Sequence, residues 1–115
     1  MTEATLNISI ETFKRVDLIT VVGRVDSNTA PQLDGVLKEK MGDGRHNLVL
    51  NLAQVDYMSS AGLRSLVAAL RDCKKNRGDV RLSQSSTRVI EVLELAGLDA
   101  MFNTYDDDTA AVGSF

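Results

Sequence analysis

The chain has 115 residues, 43% apolar and 25% charged, with a formal net charge of −3 and a pI of about 5.0. These values describe one globular domain over 1–115 and argue against a general nucleic-acid surface, which shows a basic stripe. A single cysteine excludes an internal disulfide, and no apolar run approaches the roughly 20 residues that cross a bilayer.

The first ten residues, MTEATLNISI, lack a basic region followed by an apolar core, so they do not read as a signal peptide. The expected location is the cytoplasm, with no membrane contact. Residues 5–13 (TLNISIETF) place Leu6, Ile8 and Ile10 at alternate positions, which predicts a half-buried strand. Lys14-Arg15 turns the chain into a second strand over 16–23, and the two form a hairpin. Asp26, Ser27, Asn28 and Thr29 are all cap-type residues, and Pro31 suits a first helical turn. Leu33, Val36, Leu37 and Met41 follow at helical spacing, until Gly42 and Gly44 end the helix. Residues 47–52 (NLVLNL) read as a central strand.

From Leu63 the apolar positions 63, 66, 67 and 70 form one helical stripe, stopped by Asn76-Arg77-Gly78-Asp79. Residues 80–82 make a fourth strand. Ser85 or Ser86 caps a third helix carrying Val89, Ile90, Leu93 and Leu95 and closed by Gly97. Residues 101–105 (MFNTY) suit a last short strand, and Asp106, Asp107 and Asp108 can cap a terminal helical turn. The expected architecture is a small α/β domain. Its mixed sheet has four or five strands and begins with a hairpin, and the helices pack mainly on one face.

Between the third strand and the second helix lies DYMSSAGL, residues 56–63. Carboxyl ends of strands form the reactive edge of open α/β sheets, and a helix N-terminus favours negative charge. A serine there is explained as an N-cap, which stabilises by about 1 kcal/mol. It can equally be a phosphate acceptor, because phosphoserine suits a helix start and changes any surface it joins. Spacing alone does not choose between these. A serine nucleophile fails on inventory. G-x-S-x-G is absent because Met58 occupies the first glycine's place, and His46 stands at the other end of the strand. His46 reads as a solvated loop residue. No glycine-rich nucleotide loop and no metal-ligand cluster is present, so no cofactor is expected.

NLAQVDYMSSAGLRSLVAAL resembles the signature of STAS-domain anti-sigma factor antagonists, and VVGRVDSNTAPQL resembles that family's strand, Gly-x-Leu/Val-Asp and helix. The resemblance covers nearly the whole chain. It implies that Ser60 accepts phosphate, with Ser59, Ala61 and Gly62-Leu63 as its flanking motif and Asp26 in a loop beside it. Many phosphorylated members carry Asp where Ser59 stands, so Ser59 is the second candidate. The implied partners are an anti-sigma factor serine kinase, bound by the unphosphorylated form, and a PP2C-type phosphatase. The implied partner surface is Asp26, Ser27, Asn28, Met58, Ser59, Ser60, Ala61, Gly62 and Arg64, with no catalysis by the chain itself. The alternative is a non-phosphorylated STAS module in a transport or stress-signalling scaffold.

Around the motif, Arg64, Ser65, Ala68, Arg71 and Asp72 lie off the apolar stripe and read as a solvated face, with Arg64 best suited to a phosphate or an acidic partner. Tyr57 reads as core, and Cys73, ten residues past Leu63, as inert core. Asp26 reads as a cap, a contact or both.

Overall fold

A computed structural model of the chain describes residues 5–115; part of the stretch that argues against a signal peptide, residues 1–4, lies outside them. In chain order the elements are β1 (Asn7–Thr12), β2 (Asp17–Val25), α1 (Ala30–Gly42), β3 (Asn47–Met58), α2 (Ser60–Lys75), β4 (Asp79–Ser83), α3 (Thr87–Leu95), a 3-10 turn (Asp99–Met101), β5 (Thr104–Tyr105) and α4 (Asp108–Gly113). The sheet runs β1-β2-β3-β4-β5. β1 and β2 are antiparallel, as the charged Lys14-Arg15 turn suggests, and every later pair is parallel. This is the expected mixed sheet with its hairpin.

Alternation along the strands sorts the two faces. On one face Ile19, Val21, Leu48, Leu50, Leu52, Val80 and Leu82 are buried in a single core. α1 brings Leu33 and Leu37 to it, α2 brings Leu66, Leu70 and Cys73, and α3 brings Val89 and Leu93. On the other face only a small cluster forms, Val16, Leu18 and Val49 against Ala111 of α4. The helices therefore pack mainly on one face, as expected.

Three expectations are corrected. β3 has 12 residues and ends at Met58, far beyond Leu52. Gln54 and Asp56 break the apolar run, but β2 pairs along the whole extension with two register shifts, one beside Gly23, whose φ is +126°. In β1, Leu6 is buried and Ile8 is half-buried, but Ile10 is 41% exposed on an edge strand that pairs only with β2. In α3, Ile90 and Leu95 face solvent, Leu95 at 88%, and the core takes Val89, Leu93 and part of Val92.

The amino end of the parallel strands is locked by charge. Asp17 is fully buried, and Arg45 donates to it at 2.8 Å from Nε while its other nitrogens donate to the carbonyls of Phe13 and Lys14. That clamp holds the hairpin turn to the start of β3.

Candidate functional site

β2 and β3 end in register, Val25 beside Met58, so two carboxyl ends meet at one edge of the sheet. The Ser59 N–H donates to the Val25 carbonyl at 2.8 Å, and the chain then enters α2. Ser59 has extended backbone (φ −84°, ψ 170°), and its Oγ accepts from the Gly62 N–H at 3.2 Å. Ser59 is thus the N-cap. Ser60 is the first helical residue, is exposed, and makes no side-chain hydrogen bond within the described residues. The first turn of α2 holds no acidic residue, so its positive dipole end is uncompensated at Ser60.

Gly62 sets how closely this turn lies on the sheet. A Cβ there would stand 2.6 Å from Val25 Cγ1 and would also meet Met58 Sδ. Met58 and Gly62, both expected on a partner surface, are buried, Met58 at 2% exposure. They support the serines from beneath. Ala61 is half-buried at the edge of a groove.

The β2–α1 loop is ordered by Asp26. Its Oδ1 accepts from the N–H groups of Asn28 (2.9 Å) and Thr29 (3.0 Å). Thr29 Oγ1 accepts from the Asp26 N–H at 2.9 Å and donates to the Arg24 carbonyl at 2.6 Å. Asp26 caps the loop and leaves the α1 N-cap position to Thr29. The Thr29 N–H holds its carboxyl below the ordinary aspartate value, against the opposing effect of partial burial. Ser27 and Asn28 are exposed. The Arg24 guanidinium lies 4.0 Å above the Tyr57 ring and 3.4 Å from Asp26. Tyr57, expected in the core, is half-buried beneath that arginine.

The structure joins the two sequence motifs. A shallow groove of about 390 Å³ runs between α1 and α2, lined by Ser27, Pro31, Asp34, Ala61, Arg64 and Ala68 among others. A second, of about 380 Å³ and mostly apolar, lies on the other side of α2 between Leu63, Val67 and Leu98, rimmed by Arg64 and Arg71. Arg64, Ala68, Arg71 and Asp72 are exposed as expected, whereas Ser65 is 9% exposed and faces α1.

Among the described residues, the groups weighed for other chemistry lie away from the serines. The twelve residues of β3 place half-buried His46 roughly 40 Å from the serines, twice the distance that a six-residue strand implied. No group of three His, Cys, Asp or Glu among the described residues could hold a metal. Cys73 is fully buried, and burial, then Asp72 and Asp79, push its thiol up to about 12, where it carries no thiolate at neutral pH. The described residues include no helix long and apolar enough to cross a membrane.

Two arrangements had no signal in the sequence. One is the Arg24–Tyr57–Asp26 stack, whose members lie on different elements. The other is at the far end of the chain, where Asp108 Oδ1 accepts from Asn51 Nδ2 (2.9 Å) and Ser83 Oγ (2.6 Å).

The mixed five-stranded sheet with its helices mainly on one face matches the fold of STAS proteins. The STAS domain model matches residues 7–111, and the chain belongs to the STAS family. Within that family the relatives it resembles include anti-sigma factor antagonists. It is 33% identical over 95 residues to the anti-sigma-B factor antagonist of Staphylococcus epidermidis, covering 81% of this chain and 88% of that one. Its fold matches an anti-sigma factor antagonist from Mycobacterium paratuberculosis with a TM-score of 0.84 and 26% identity, over 95% of this chain and 92% of that one. It also matches the phosphorylated form of the Bacillus cell fate determinant SpoIIAA, with a TM-score of 0.74 and 17% identity over 95% of this chain and all of that one, a likeness of fold alone. Proteins of this group are regulatory binding proteins and not enzymes.

Proposed function

We propose that this chain is an anti-sigma factor antagonist working in the cytoplasm. Its unphosphorylated form binds an anti-sigma factor that is also a serine kinase, and so frees a sigma factor. The kinase transfers the γ-phosphoryl group of ATP to Ser60 Oγ, releasing ADP and the hydroxyl proton, and binding ends. A PP2C-type phosphatase hydrolyses the phosphoserine and restores it. Asp26, Ser27, Asn28, Ala61 and Arg64 supply the surface around Ser60. The observation that carries this reading is the division between the two serines: Ser59 is committed to the helix cap, while Ser60 is exposed with its hydroxyl free.

Phosphate would add about −1.5 to −2 charges at a helix start that tolerates them, so the fold survives and the surface changes. A buried or mispaired charge in an interface costs about 2–5 kcal/mol, or roughly 30- to several-thousand-fold in affinity. The test is to incubate the chain with the cognate kinase and ATP, map the modified residue, and measure binding of both forms by calorimetry. Phosphate on Ser60 and weakened binding are expected. Equal affinity of the two forms, or labelling of Ser59 alone, would overturn the switch and favour a non-phosphorylated scaffold module.

A further inference from the structure

Arg64 stands one helical turn after Ser60 on the exposed face of α2. Residues four apart on a helix have Cβ atoms about 5–6 Å apart, and helical side chains lean toward the N-terminus, here toward Ser60. An anion four residues before a cation is the favoured order of such a pair. Arg64 has no ion pair among the described residues. Arg24, at the end of the neighbouring strand, is already engaged by Asp26 and Tyr57. Arg71 lies a further two turns along the helix, out of reach of Ser60. Arg64 also lines both grooves that flank α2.

We infer that Arg64 is the intramolecular receptor for phosphate on Ser60, and that the pair draws the guanidinium off the two grooves it lines. This rests on the reading of Ser60 given above. Phosphorylation then acts twice: it adds negative charge at the helix start, and it removes from the ridge of α2 the cation that an acidic partner group would meet.

The test uses the full chain carrying phosphoserine at position 60, incorporated during translation so that no kinase is needed. Phosphorus NMR follows the second ionisation of the phosphate in the parent, Arg64→Gln, Arg64→Lys and Arg71→Gln forms, with circular dichroism confirming each fold. The helix dipole is common to all four, so differences report the side chain. The second pKa of the phosphate should be higher in Arg64→Gln than in the parent by about 0.2–0.4 pH units. Lysine should restore part of the difference, Arg71→Gln should match the parent, and 1 M salt should shrink the difference. Equal values in the parent and Arg64→Gln would overturn the inference. Kinase labelling of Ser60 with lost binding but no such difference would keep the switch and remove the ion pair. The difference without any labelling would keep the pair and remove its regulatory use.

Discussion

Ser59 and Ser60 are chemically identical and one position apart, yet the helix assigns them different work. Ser59→Ala removes the acceptor for the Gly62 N–H and should cost about 1 kcal/mol of stability, read by urea unfolding. Ser60→Ala removes nothing that the fold uses and should stay within about 0.5 kcal/mol. A larger loss at Ser60 than at Ser59 would reverse the assignment. Asp26 makes a prediction in pH. Its folded-state pKa is lowered, chiefly by the Thr29 N–H, so its contribution is present above the unfolded value and is lost as pH falls through the folded one. The loop should therefore hold its order from neutral pH down to about pH 4 and loosen below that. A carboxyl-carbon NMR titration reads the value directly, and a midpoint at or above the ordinary aspartate value would contradict the hydrogen bonds. Asp26→Asn should flatten the acid limb of the stability curve.

At the level of the element, α2 shows what a sequence can and cannot declare. Its stripe of Leu63, Leu66, Leu70 and Cys73 was legible because it repeats at helical spacing. Ser65 was not, because its burial comes from α1 lying alongside, a neighbour that no local pattern announces. In α3 both flanks are apolar, and a nine-residue helix offers too few turns to say which faces inward; the sheet chooses Val89 and Leu93. The extension of β3 was hidden for the opposite reason, since polar Gln54 and Asp56 stand on a strand exposed in alternate stretches. The contact of α2 with the strand ends yields a further prediction. Alanine normally favours a helix over glycine by about 1 kcal/mol. At Gly62 the added methyl would press on Val25, which is fully buried, and on Met58, so overpacking of about 1–3 kcal/mol should win. Gly62→Ala should lower the melting temperature, and a rise would mean that the helix start is free to lift from the sheet.

For the whole molecule, the order of strands and helices was legible from alternating periods, and so was the one-sided packing, from the shortage of helices. The means by which α4 holds the second face was not, because Asp108 meets Asn51 and Ser83 across sequence separations of 57 and 25 residues. Asp108→Ala would leave the buried Ser83 hydroxyl and the Asn51 amide without their acceptor, at a cost of about 1–3 kcal/mol. Hydrogen exchange should show α4 losing protection while α1 and α2 keep theirs; uniform loss would mean that α4 is integral to the core.

The sheet adds its strands in the order in which the chain is made. During synthesis at about 5–20 residues per second, β3 therefore emerges with β2 on one side and nothing on the other until β4 follows. The bare side includes Leu48, Val49 and Leu50, apolar, β-prone and fully buried in the finished protein, which makes it a template for other nascent chains. Translation slowed at codons that leave β3 outside the ribosome exit tunnel and β4 still inside it should raise the insoluble fraction, whereas the same slowing once β4 has also emerged should not.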